Sequence, residues 1–107
     1  WQIDDSMAYA GTHSLSDSLD GNYSDNRLQT AMMKETVDLS IFDPEEVVCA
    51  TVKVKGKIET HWDSFQFIAS DDGGQTWTPL GDRIDGEFTD WTEVGVPIPS
   101  ELFTPNF

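Results

Sequence analysis

The stretch "VVCATVKVKGKIE", residues 47–59, decides the fold class. Val48, Ala50, Val52, Val54 and Ile58 share one phase of a two-residue period, and Lys53, Lys55 and Lys57 share the other. A period of two places successive side chains on opposite faces of a pleated strand. The stretch is therefore a strand with one face on a core and one in water, as antiparallel sheets allow. The lysine row reads as a solvated face first and as a dock for an acidic neighbour second, and it also discourages pairing if the strand lies at an edge.

The same period recurs on both sides. In "HWDSFQFIAS", Phe65, Phe67 and Ala69 fall on one face, with Trp62, Ser64, Gln66 and Ile68 on the other. "TWTPLG" returns as the partner strand, kept short or peripheral by Pro79. "DWTEVGVPIP" puts Val94, Val96 and Ile98 in phase, and "ETVDLSI" does so for Val37, Leu39 and Ile41. "THSLSDS" and "RLQTAMM" are shorter candidates. Pro44 after Asp43 is a start signal for one helical turn in "IFDPEEV". Closely spaced short strands without helical periodicity predict an all-β antiparallel sandwich. Val48, Ala50, Val52, Val54, Phe65 and Phe67 are its expected core.

Between two of these strands stands "SDDGGQTW", residues 70–77, with the spacing Ser-x-Asp-x-Gly-x-Thr-Trp filled by Ser70, Asp72, Gly74, Thr76 and Trp77. The spacing resembles the Asp-box repeat of sialidases and other β-propellers. A propeller needs at least four blades of roughly 40–50 residues each. A chain of 107 residues with one box cannot supply them. The turn has its own local physics: Asp bonds its own backbone and Gly accepts positive φ. The box is expected to be a structural hairpin turn.

Composition narrows the function. Twenty acidic residues against six basic ones give a net charge of −14. Nucleic acid and anionic membranes are poor partners for such a chain, since phosphate binding needs the opposite balance. Acidity serves solubility, or some carboxylates converge on calcium, which takes six to eight oxygen ligands. The single Cys49 excludes an internal disulfide and a Cys-based zinc site. No apolar run approaches the ~18 residues of a membrane span. The chain opens on Trp1 without an initiator Met or signal segment, which is expected of a piece cleaved or excised from something longer.

No catalytic constellation is evident. His13 and His61 are the only imidazoles, and neither sits in a zinc-binding spacing. No nucleophile elbow supports a Ser-His-Asp triad. Asp71 and Asp72 are adjacent, whereas glycosidase carboxylates face each other across roughly 5–9 Å. "DSLDGNYSD" offers a better site, with Asp17, Asp20, Asn22 and Asp25 in one loop and Gly21 at its bend. The oxygen spacing is loosely that of a calcium loop, without the closing bidentate Glu; an Asx-rich turn accounts for the same residues. Asp63 and Asp82 are further oxygen donors on neighbouring strands. Tyr23, Trp62, Trp77 and Trp91 are candidate stacking platforms for a sugar. Trp62 leads them because its phase opposes Phe65 and Phe67; otherwise each is a core or edge aromatic.

An ordered set of motifs goes further. Gly11, Ser14, Leu15, Asp17 and Ser18 are followed by Gly21, Tyr23 and Asn26, then by Asp38, Leu39 and Ser40. Glu59, Trp62, Asp63 and the box complete it. This series, spread over most of the chain, resembles the jelly-roll (MAM-like) accessory domains appended to secreted bacterial zinc carboxypeptidases. It is more loosely similar to immune inhibitor A-type peptidases and cleaved-adhesin modules. The resemblance implies one jelly-roll-like domain over residues 1–107, stabilised by calcium, secreted or at the bacterial cell surface. Its partner would be a catalytic peptidase domain of the same parent protein. A carbohydrate or a cell-surface protein is the alternative partner, bound through exposed aromatics. Such domains carry a further strand pair after the Trp matched by Trp91, which this chain does not contain. An open edge and a partly exposed inner face are the expected consequences.

Overall fold

A computed structural model describes residues 1–18, 21 and 26–107. The protein is all-β, and the described residues form six strands paired antiparallel into three two-stranded sheets, with one short 3-10 turn. Among the described residues no helix is long and apolar enough to cross a membrane. The chain divides into two compact units, Trp1–Lys34 and Glu35–Phe107.

The first unit holds β1 (Gln2–Asp4) and β2 (Ser14–Ser16), with Ile3 opposite Leu15. No described residue in it is buried. Asp4 Oδ1 accepts from the amide and the hydroxyl of Ser6, at 2.8 and 2.6 Å, which closes an Asx turn after β1. "RLQTAMM", expected as a strand, forms none, and Leu28, Met32 and Met33 are exposed. Among the described residues no core covers those side chains to reward extension, and propensity alone is a weak determinant of strands.

The second unit nests one hairpin inside another pair. β3 (Cys49–Ile58) pairs with β6 (Gly86–Pro97), and β4 (Phe65–Ala69) pairs with β5 (Thr78–Ile84). The Ile98 amide donates to the Val48 carbonyl at 2.8 Å, extending the β3–β6 ladder. Bonded pairs alternate along an antiparallel ladder, so Pro97, opposite Cys49, falls where no N–H is required. The lysine row meets carboxylates of its own sheet: Lys53 faces Glu93 with Nζ and Oε2 3.0 Å apart, and Lys57 faces Glu87 in register.

Both pairs carry the same irregularity. Val54 faces Thr92 but Gly56 faces Phe88, four steps on β6 against two on β3. Phe65 faces Ile84 but Phe67 faces Leu80, again four against two. On β5 the excess begins at Gly81, whose φ is +63°. A Cβ there would lie 2.9 Å from Val96 Cγ1, so only glycine lets β5 come this close to β6.

The core is Leu39, Ala69, Leu80, Val96 and Ile98, flanked by Val48, Ala50, Phe67, Leu102, Phe103 and Phe107. Three expectations change here. Val52 is 40% exposed, and Val54 and Phe65 are half-buried outside the core, because the core covers only the Val48–Ala50 end of β3 and the Phe67–Ala69 end of β4. "ETVDLSI" forms no strand; Leu39 is buried, while Val37 and Ile41 stay exposed. That segment bonds instead to the C-terminal residues, Val37 N–H to the Phe107 carbonyl and Leu39 N–H to that of Thr104. The helical start at Pro44 stops at a turn, in which Glu46 N–H donates to the Asp43 carbonyl and Asp43 N–H to Glu46 Oε2.

Candidate functional site

The most organised polar cluster is the turn joining β4 to β5. Ala69 and Ser70 are buried at the end of β4, and the chain then reverses through Gly73 and Gly74, with φ of +73° and +92°. Two consecutive positive φ values select glycine. Asp72 organises the reversal. Its Oδ1 accepts from the Ser70 hydroxyl at 2.7 Å, the Gln75 amide at 2.8 Å and the Thr76 amide at 2.9 Å. Oδ2 accepts from the Thr76 hydroxyl at 2.6 Å. The Ser70 oxygen in turn accepts from the Gly74 amide at 2.7 Å. The Trp77 ring lies beside Gly74, where an added Cβ would stand 3.6 Å from Cζ2.

Electrostatics follow from this geometry. The Thr76 hydroxyl, then its amide, then the Ser70 hydroxyl hold the Asp72 carboxyl well below the usual carboxylate range; desolvation opposes them, and the Gln75 amide adds the least. Hydrogen bonds to the charged form stabilise it. A carboxylate has about four lone-pair sites; three donors within the turn share Oδ1 of Asp72 and one takes Oδ2, which leaves a single site on Oδ2. The group is committed to its own loop, with little left to offer a cation or a sugar hydroxyl.

The turn also holds another part of the chain. The Thr104 hydroxyl donates to the Asp71 carbonyl at 2.7 Å, and the Gly73 amide donates to the Asn106 carbonyl at 3.0 Å. Residues 104–107 thus run as a strap between the box and the segment at Val37–Leu39. Phe103 meets Phe42 edge to face at 6.5 Å. Nothing in "FTPNF" marks this role beforehand, because the strap's bonds are made by backbone groups and one Thr hydroxyl.

The other residues singled out are dispersed. Asp17 is half-buried in the first unit; Asp20, Asn22 and Asp25 lie outside the described residues. Ser18 Oγ donates to the Gly21 carbonyl at 2.5 Å, and Gly21 has φ +129°. Among the described residues no three His, Cys, Asp or Glu side chains gather as metal ligands. Asp63 and Asp82 belong to the second unit.

Trp62 is 83% exposed in the turn after β3, where its amide and that of Asp63 donate to the Glu59 carbonyl. His61 beside it holds φ +71° and donates its amide to Asp85 Oδ2 at 3.1 Å. Trp91 is half-buried in the irregular section of β6. His13 lies in the first unit, its Nδ1 2.6 Å from Thr12 Oγ1, whereas His61 lies in the second. Cys49 is exposed at the start of β3. No family model, curated protein or solved structure matches this chain.

Proposed function

We propose that this chain is a non-catalytic accessory module of a secreted bacterial peptidase, one that positions or stabilises the catalytic domain. The observation that carries the reading is the box turn. Its donors and acceptors are spent within the loop and on the C-terminal strap, as in a device that fixes chain geometry rather than one that handles a substrate. The nested pairing of β3 with β6 around β4 with β5 is compatible with one end of a jelly-roll sandwich. The ordered motifs noted in the sequence point the same way.

Deleting the module from its parent polypeptide tests this. Turnover of a small fluorogenic peptide by the catalytic domain should persist while its half-life at growth temperature falls. A parent with no peptidase domain, or peptidase or glycosidase turnover by residues 1–107 alone, overturns the reading.

Calcium belongs to the same proposal, with Asp17, Asp20, Asn22 and Asp25 as its donors. Millimolar calcium should raise the melting temperature and chelator should lower it, because a ligand bound only by the native state stabilises it. An unchanged midpoint in both leaves the acidic loop a plain turn.

One observation favours a second reading, a carbohydrate-binding or adhesin module. Trp62 presents most of its indole to solvent, and exposed aromatic faces stack on apolar ligand surfaces. Glycan-array binding that disappears in Trp62→Ala would establish that function in place of the accessory one.

A further inference from the structure

The stretch "LQTAMMKET", residues 28–36, forms no strand, and every residue in it is exposed, Leu28 to 96%. Among the described residues, the one hydrogen bond to this stretch is accepted by the Gln29 side chain from the Trp1 ammonium. The next anchored amide is that of Val37, which donates to the Phe107 carbonyl at 2.6 Å. Backbone of this kind, exposed and without internal bonds, is where proteolytic nicking concentrates.

One side chain singles out a bond within it. All four lysines of the chain are among the described residues; Lys53, Lys55 and Lys57 lie in β3, paired with β6, and only Lys34 lies outside a strand. A protease cleft takes its substrate as an extended, unpaired segment. A bond inside a paired strand is therefore cut only from the opened state, whereas Lys34 needs no opening. Apolar residues give no such selection, since Met7, Tyr9, Leu28, Ile41 and Trp62 are all exposed outside strands. The Lys34–Glu35 bond also falls at the boundary between the two compact units. A cut there leaves the β3–β6 and β4–β5 pairs and the C-terminal strap whole within residues 35–107.

We propose that the Lys34–Glu35 bond is a processing site for an endoprotease that reads lysine on the acyl side of the cut, and that residues 35–107 persist as the folded product. Water adds to the Lys34 carbonyl carbon and the C–N bond to Glu35 breaks. Both protons of the water end on the Glu35 amine, and Lys34 is left with a carboxylate. The product begins two residues before Val37, so every bond of the strap survives the cut. The site is separate from the box turn and stands independently of the accessory role.

The test digests the full chain with a small amount of a lysine-specific endoprotease and follows the products by intact mass. Cleavage after Lys34 should run at least about tenfold faster than cleavage after Lys53, Lys55 or Lys57, which waits on the opening of β3. The fragment 35–107 should accumulate and keep slow hydrogen exchange at the Leu39 amide, which donates to the Thr104 carbonyl. Lys34→Gln should abolish the early cut without altering the circular dichroism spectrum. In concentrated urea all four lysines should be cut at similar rates. Equal rates at Lys34 and the β3 lysines in buffer, a fragment 35–107 that is degraded as fast as it forms, or a chain left uncut would overturn the proposal. So would an early cut that persists in Lys34→Gln.

Discussion

The β1–β2 pair and the β4–β5 pair are built from the same parts, yet only one contributes to a core. Each is antiparallel, each sets two large apolar residues opposite one another, and each has an Asp that accepts bonds from a nearby hydroxyl and amide. Ile3 and Leu15 face each other but remain 69% and 59% exposed, whereas Leu80, opposite Phe67, is 4% exposed. Asp4 gathers its bonds from Ser6, while Asp72 gathers four from three residues. The difference teaches that pairing and turn chemistry are local, but burial needs a second layer. In residues 35–107 that layer is Val96 and Ile98 from the β6 end, with Leu39 and the phenylalanines of the C-terminal segment.

The largest expected effect breaks this contrast at the buried pair. Leu80→Asp should abolish the cooperative transition of residues 35–107, since an unpaired buried charge costs several kcal/mol. The milder Leu80→Ala should cost about 2–5 kcal/mol. Leu15→Ala should stay within about 0.5 kcal/mol. Thermal unfolding followed by near-ultraviolet circular dichroism measures all three; equal effects at Leu15 and Leu80 would mean the two pairs are equally buried.

Next come the two aspartates. Asp72→Ala should lower the midpoint by several degrees and release the C-terminal strap, seen as faster hydrogen exchange at Leu39 and Gly73. Asp4→Ala should have a smaller effect and leave those two amides unchanged. If Asp72→Ala leaves Leu39 and Gly73 protected, the box does not hold the strap.

The pH dependence sharpens the same comparison. Both carboxyls are held below their ordinary value, Asp72 by Thr76, Ser70 and Gln75, and Asp4 by the Ser6 hydroxyl and amide. A depressed native pKa means that the unfolded chain binds the proton more readily, so stability falls as pH falls. The Asp72 contribution is complete above the unfolded value of about 3.9 and is lost as pH drops below it toward the native value. Asp72→Asn should flatten this acid limb of a midpoint-against-pH curve more than Asp4→Asn. Equal slopes in the two variants would contradict the difference in bonding.

The smallest effect is at the lysine row. Lys53→Ala removes a cross-strand ion pair whose Glu93 side chain is 58% exposed, and such pairs contribute about 0.2–1 kcal/mol. Denaturant midpoints should move by that amount at low salt and by less at high salt.

Much of the second unit was legible in the chain. The alternation of Val48, Ala50 and Val54 against the lysines, and of Phe65, Phe67 and Ala69, depends only on the two-residue repeat of a strand. The box was legible because its own bonds close within four residues. "VDLSI" was misleading: its alternation suits a strand, but the strap bonds it at Val37 and Leu39, and Leu39 alone enters the core. Val52 misled for a related reason, since phase names the face of a strand but not how far the covering layer extends.

The sequence by itself determined the all-β character, the strand phases and the hydrogen-bonded logic of the box, because each arises between residues close along the chain. Only the tertiary structure decided that β6 would be the partner of β3, that Gly81 would admit Val96, and that residues 104–107 would close over the segment around Leu39. Those contacts join residues far apart in sequence. Their stability comes from apolar area buried jointly by several segments, a quantity that no local pattern encodes.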